Sequence, residues 1–508
     1  MPTRAYEQNE VITRRQFLKA GGVVPLLSFP FALSRAASAG LVVNDIHSQL
    51  NATRVQRIVA PESFEEACAV IRAARGEGRA LCIAGGRHAM GAQAFASDGI
   101  LLDVRNLDRV LRFDAQRGVI EVESGIQWPA LADYLTTVQE GRVQQWGFAQ
   151  KQTGADRLTI GGALAANVHG RGLTMKPLID DIESFVLVNA EGEIVRCSRS
   201  ENAELFRLAV GGYGLFGLVY SVTLRLVPRC KVRRVVEVTE IEDVMPALRR
   251  RIADGFLYGD FQYSIDQDSS GFLRQGVFSC YRPVDWSTPI PTRQKKLREE
   301  NWKELIYLAH TDKAQAFQRY ADYYRSTSGQ VYWSDTHQMS SYTDDYHVAI
   351  SRRIGTAHKA TEMITEIYVD RDALPAFMHD VREDFRKHQV NVIYGTVRLI
   401  ERDDESFLAW ATKPFACIIF NLHVVHTAEG MRHSAAAFRR LIDYGIRHGG
   451  SYYLTYHTYA TREQVLRCYP QFPEFLRLKK RYDPKEVFQS DWYRRYKTMF
   501  MLARAKRR

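Results

Sequence analysis

Cysteine is scarce and scattered in this chain. Seven occur in 508 residues (Cys68, Cys82, Cys197, Cys230, Cys280, Cys417 and Cys468), the total is odd, and no two stand as a C-x-x-C pair. That spacing argues against a zinc module or a disulfide framework, leaves room for one isolated bridge, and gives no reason to expect a metal centre. No apolar run is long enough to span a bilayer, and no repeat of fixed period appears. The only dense basic run is the terminal ARAKRR, Ala503 to Arg508; the rest of the net charge of +11 is spread along the chain. A nucleic-acid binder needs a basic face interleaved with aromatics, so no nucleic-acid partner is expected. A mildly basic surface suits an anionic cofactor or substrate instead. With 45% hydrophobic and 25% charged residues, the composition is that of a well-cored globular protein of two or three domains.

The first forty residues have their own order. TRRQFLK, Thr13 to Lys19, leads into an apolar stretch from Ala20 to Leu33 and then to ASA, Ala37 to Ala39. A basic region, a short apolar region and a small-residue cleavage site make an export signal. The paired Arg14 and Arg15 are similar to the twin-arginine type, which implies a periplasmic or extracellular protein with no membrane segment in its mature form. Arg35, behind the apolar stretch, fits the same route.

Past the expected leader (1–39), short helices and strands alternate as far as Pro228. SFEEACAVIRAARGEG has helical spacing, ALCIAGG is a short buried strand, and GILLDVRNL, RVLRFDAQRGVIEVESG and the helix WPALADYL continue the alternation. From residue 229 the strands lengthen, in YGDFQYSID, HKATEMITEIYVD, NVIYGTVRLI and ACIIFNLHVV. The expected class is α+β, with domains at 40–228 and 229–460 and a C-terminal segment, 461–508, returning to the first. GGYGLFG, Gly211 to Gly217, matches a dinucleotide fingerprint only as a string. A helix leads into it and a strand leads out, the reverse of a Rossmann turn.

Two glycine-rich segments remain, GGRHAMGAQAF (Gly85 to Phe95) and TGADRLTIGGALAANVHGRG (Thr153 to Gly172). Turns without Cβ atoms let backbone N–H groups approach an anion closely. The histidine within the first could simply bond a nearby carbonyl. Together with AEGEIVRCSRSENAELFRLAVGGYGLFGLVYSVTLRLVP and the C-terminal RYDPKEVFQSD, these blocks resemble the FAD-binding domain of the vanillyl-alcohol-oxidase superfamily, the PCMH-type flavoproteins. The resemblance implies FAD as cofactor and a substrate-binding cap between the two ends of a flavin domain. Gly85, Gly86, Arg87, His88 and Ala89 match the family's pyrophosphate clamp. Gly154, Thr159, Ile160, Gly161, Gly162, Ala166, Asn167, Val168, His169 and Val219 match positions near the flavin. His88 stands where many relatives bond the flavin covalently. No cysteine lies between Thr153 and Gly172, so the second tether of bicovalent relatives is absent.

On the substrate side, period-two alternation puts Tyr394, Thr396 and Arg398 on one strand face, Ile419, Asn421 and His423 on another, and Tyr453, Thr455 and His457 on a third. Polar strand faces often meet only water. TVRLIERDDESFLAW is similar to the E-x-R strand of aldonolactone and alditol oxidases, with Arg398 retained and Thr396 in place of the acid, which puts polyol recognition of that type in doubt. The segment from Gly449 is similar to the C-terminal region of decaprenylphosphoryl-ribose oxidases, placing Tyr453 at a flavin-contacting tyrosine and Tyr456 at a substrate lysine. The resemblance implies an FAD-dependent oxidase or dehydrogenase acting on a C–OH group of a sugar-like, polyol, lactone or other alcohol. Arg398 is then expected to orient an oxygen, Tyr456 or His457 to take the proton, and Thr396, Asn421 and His423 to touch substrate. O₂ or another molecule would accept the electrons. An amine oxidase, a desaturating dehydrogenase or a catalytically silent binding protein on the same scaffold stays open.

Overall fold

A computed structural model describes residues 40–340 and 346–505; the leader expected over 1–39 lies outside the described residues. From Gly40 an antiparallel pair, Leu41–Val43 with Thr53–Val55, leads into a small parallel sheet in the spatial order Arg57–Val59, Ile100–Asp103, Leu81–Ala84. Its helix, Phe64–Gly76, starts where Ser63 accepts the Glu66 N–H, carries Glu65 and Glu66 in its first turn, and buries Ala67, Ile71 and Ala74 at helical spacing. A five-stranded antiparallel sheet follows, ordered Ile194–Ser198, Ile182–Val188, Leu218–Arg225, Val119–Glu123, Val110–Asp114. The segment RVLRFDAQRGVIEVE supplies its last two strands. GGYGLFG sits between the Ala203–Ala209 helix and the Leu218–Arg225 strand, with Gly217 at φ 147 and its missing Cβ 2.6 Å from the Val188 carbonyl.

The second half of the chain folds on an eight-stranded antiparallel sheet. Its centre is Tyr258–Tyr263, Val392–Ile400, Phe415–Val425 and Ala360–Asp370. One face carries the helices Ile241–Ala253, Leu374–His388 and Ala428–Arg447; the last two bury Phe377, Phe385, Phe438 and Leu441. The mixture of separate sheets and helices is the α+β class read from the sequence.

The RYDPKEVF block has a local physical reason. Asp483 accepts the N–H groups of Val487 (2.9 Å) and Phe488 (2.8 Å), and it pairs with the buried Lys479 ammonium at 2.5 Å. The turn so fixed delivers Phe488 alongside Leu81, whose N–H donates to the Val487 carbonyl. The end of the chain thereby closes on the strand that launches the first glycine loop.

The segment YYLTYHT departs from the expectation. Only Ser451–Tyr452 is strand, and the chain then turns. Period-two alternation ends with it, so Tyr453, Thr455 and Tyr456 all reach one cavity while His457 points into the core.

Candidate active site

Between the glycine loops and the large sheet lies a cavity of about 860 Å³, within the range of cofactor and ligand sites. Gly85, Gly86, Arg87, His88 and Ala89 line it from the first loop, and Gly154, Thr159, Gly161, Gly162, Ala166 and Val168 from the second, with Val219 and Tyr453 beside them. Several of the glycines serve the approach of the two loops to each other. A Cβ on Gly85 would stand 2.1 Å from Thr159 Oγ1, one on Gly86 2.3 Å from the Arg157 carbonyl, and one on Gly161 2.6 Å from Ser124 Cβ. Gly154 is different: it has φ +80 and open space around its missing side chain.

Three residues matched in the second segment stand behind this wall. Ile160 is fully buried in the core. Asn167 ends its helix in the left-handed conformation that asparagine tolerates. Its side chain accepts from the Ile179 N–H and donates to Asp403 at 2.9 Å, pinning the cradle to the loop beyond the Val392–Ile400 strand. His169 is fully buried with Nε2 2.5 Å from Glu366 Oε1. These three position the cradle without lining it.

The cradle fits FAD on its own polar atoms. Ser124 Oγ, Arg87 Nε and Thr153 Oγ1 are buried without a hydrogen-bond partner among the described residues, on residues that line the cavity. Buried polar atoms left in this state carry a desolvation penalty that a bound polar group relieves. His88 Nδ1 lies 2.8 Å from Nε2 of His47, which the sequence reading missed. Burial first, then the neighbouring His47, holds the His88 pKa well below the usual histidine range, and burial lowers His47 to about 4. His88 is therefore a neutral imidazole, the form that acts as a nucleophile.

The facing wall belongs to the large sheet. Asp260, Gln262, Tyr394, Arg398, Ile419 and Asn421 look into the cavity, and the helices Glu299–Thr311 and Lys313–Ser326 cover it with Leu305, Ile306, Phe317 and Tyr320. Arg398 is 5% exposed, and its Nε and Nη1 have no partner among the described residues; Asn421 Oδ1 is equally unpartnered. Thr396 is buried with its hydroxyl donating to the Phe261 carbonyl at 3.1 Å. His423 stands two residues beyond Asn421, against Glu362, and does not line the cavity.

Tyr456 lines the cavity and faces Glu366 behind it. Burial, and next the Glu366 charge, push its phenol well above the usual tyrosine range. Glu366 is completely buried, with Oε1 on His169 and Oε2 unpartnered. Its strand reads TEMITEIYVD, where Glu362, Ile364 and Glu366 share one face, and that acidic pair in an apolar strand was the signal available in the sequence.

His457 is not placed to serve as the base. It is fully buried, its Nε2 is 3.0 Å from Thr365 Oγ1, and its ring packs on Phe438. Burial, helped by Arg439 and Arg495, lowers its pKa from 6.5 to about 3. The unfolded chain then takes up a proton below about pH 6.5 that the folded chain refuses, so stability falls as pH drops from 6.5 towards 3. Denaturation of His457→Asn at pH 7 and pH 4 is expected to show a smaller loss between the two than the wild type; an unchanged loss would contradict this placement.

Comparison with known proteins agrees with this architecture. Residues 55–198 match the FAD binding domain family and residues 268–496 the D-arabinono-1,4-lactone oxidase family. The chain is 26% identical to L-gulono-1,4-lactone dehydrogenase of Mycobacterium tuberculosis, over 86% of this chain and 95% of that protein. It is 29% identical to L-gulonolactone oxidase of Bos taurus over 37% of this chain and 41% of that protein. It is 26% identical to D-arabinono-1,4-lactone oxidase of Eremothecium gossypii over 36% and 34%. Two family models in this order, over a glycine-lined cavity closed by an antiparallel sheet, mark the chain as an FAD-dependent oxidoreductase, consistent with the PCMH-type superfamily.

Proposed function

We propose that this enzyme oxidises a carbinol carbon of a sugar lactone, with FAD anchored through His88. The observation that carries the reading is the set of buried polar atoms on the sheet wall without a partner among the described residues: two guanidinium nitrogens of Arg398 and, on the adjoining strand opposite Tyr394, the Asn421 carbonyl oxygen. A guanidinium binds lactone and hydroxyl oxygens as a donor, and an amide oxygen accepts from a ring hydroxyl. When bound, FAD supplies the acceptor for the hydride.

The protein's part is orientation and proton movement. Arg398 and Asn421 fix the ring, and the cover of Leu305, Ile306 and Phe317 excludes water. Tyr456 accepts the hydroxyl proton as its own proton passes to Glu366 Oε2, while His169 holds the carboxylate from its other oxygen. The names of the three relatives given above, each a lactone oxidase or dehydrogenase, support the substrate class. The electron acceptor is O₂ or another oxidant.

The test is steady-state turnover on aldono-1,4-lactones against free sugars, polyols and aromatic alcohols, with an artificial acceptor. Lactones should give the highest kcat/KM. Hydrogen bonds to a charged group contribute about 1.5–3 kcal/mol each, so Arg398→Met should lower kcat/KM for lactones by about 100-fold or more. Equal losses on aromatic alcohols, or a preference for polyols, would overturn the assignment.

We also propose export by the twin-arginine route, supported by Arg14 and Arg15 ahead of the apolar stretch. Replacing both with lysine should leave the protein in the cytoplasmic fraction; unchanged export would refute it.

A further inference from the structure

Beyond the cavity, the large sheet holds a second cluster. Glu362 and His423 are direct cross-strand partners on the Ala360–Asp370 and Phe415–Val425 strands, and His310 comes down on them from the last turn of the covering helix Glu299–Thr311. His310 Nε2 is 3.1 Å and His423 Nδ1 3.4 Å from Glu362 Oε1. The three donor atoms lie within 4.8 Å of one another. Side-chain exposure is 5% for His310, 4% for Glu362 and 19% for His423, so the group is nearly enclosed and open on one side.

The separations match a shared ion. Donors about 2.0–2.2 Å from a tetrahedral zinc stand about 3.3–3.6 Å apart, close to the 3.1 and 3.4 Å seen from Glu362 to the two histidines. His310 Nε2 is buried and close to the carboxylate with no aligned hydrogen bond among the described residues, while His423 Nδ1 meets the same carboxylate oxygen in one at 3.4 Å. Two imidazoles and one carboxylate form a donor set that zinc accepts with its fourth position open. The free oxygen of Glu362 is held at 2.5 Å by the Tyr346 hydroxyl, the kind of outer contact that orients a ligating carboxylate.

We propose that His310, Glu362 and His423 bind a divalent cation of the zinc class. The ion ties the covering helix to the sheet. Glu362 and His423 lie one two-residue repeat, about 7 Å along the strands, from Ile364 and Asn421 in the cavity wall. The helix residues Leu305, Ile306 and Ala309, one to five positions before His310, form the cover itself. The ion would thus fix how the cover sits without touching the flavin cradle. Cysteine spacing gave no hint of this site because its ligands are histidines and a glutamate from three separate elements.

The test uses the full-length, flavin-loaded protein, stripped with a chelator and titrated with Zn²⁺ against a chromophoric competitor, with metal content measured by mass spectrometry. The wild type should take up one zinc per chain. Groups that merely orient a ligand are worth about 10–100-fold in affinity, so His310→Ala and Glu362→Gln should each weaken binding by about 100-fold or more. His426→Ala, a neighbouring histidine bonded to Thr361, should bind zinc as the wild type does. Retention of the flavin spectrum and of Tm shows that each variant is folded. If a variant loses its flavin, modification of the wild type by diethyl pyrocarbonate decides, with zinc expected to protect two histidines. A wild type that retains no zinc, variants that bind as tightly as the wild type, or absence of protection would overturn the site.

Discussion

Tyr456→Phe is expected to lower kcat by about 10²–10⁴-fold, the usual contribution of a positioned proton-transfer group, while the bound flavin's visible spectrum stays that of the wild type. The phenol is the cavity-facing member of a chain that continues through Glu366 to His169. Phenylalanine keeps the ring packed against Tyr453 and removes only the oxygen. Glu366→Gln should produce a loss of similar size, because the amide cannot take the proton. The two losses should not add: once either member is gone the relay is broken, and the double variant should resemble the single ones. Rapid mixing with substrate under anaerobic conditions separates this from an effect on reoxidation, since the loss must appear in the rate of flavin reduction. Full reduction rates in Tyr456→Phe would remove Tyr456 from the mechanism.

The second large effect concerns the anchor. In the wild type, colour should stay with the protein after acid precipitation, and in His88→Ala it should leave with the supernatant completely. The alanine variant should still bind FAD reversibly, because Ser124, Arg87 and Thr153 and the paired glycine loops remain. His47→Asn should slow acquisition of acid-stable colour, since Nε2 of His47 is the group that meets His88 Nδ1 and fixes the tautomer of that ring. Wild-type colour that is freed by acid would place the flavin in the cavity without a bond to His88.

Much of the cofactor side was legible because glycine has few reasons to cluster. The two segments identified the walls of the cavity, although at Gly85, Gly86 and Gly161 the immediate constraint is a neighbouring loop rather than a ligand. Asn167 and His169 belonged to the same segment but serve behind it, a distinction set by Asp403 and Glu366, which lie some two hundred residues away in the chain. His47 was invisible for the same reason: 41 positions separate it from His88, and no local pattern links them.

On the substrate side, alternation worked where strands are long. Tyr394 and Arg398, and Ile419 and Asn421, share a wall as their spacing requires. Thr396 shares the spacing but spends its hydroxyl on Phe261, which no reading of one strand reveals. The rule failed at His457, where the strand stops after Tyr452 and a turn swings Tyr456 to the cavity and the histidine to the core. Glu366 was overlooked because its burial comes from neighbours remote in the chain, yet a carboxylate retained on a strand buried on both faces is itself a functional signal.

The most direct measurement is anaerobic: purified flavin-loaded protein mixed with an aldono-1,4-lactone, the visible flavin band followed in time. Stoichiometric bleaching by the lactone, and far slower bleaching by the matching open-chain polyol, is the result expected if Arg398, Asn421 and Tyr456 receive a lactone ring. A band that persists with every lactone tested while an amine or an aromatic alcohol bleaches it would contradict that assignment.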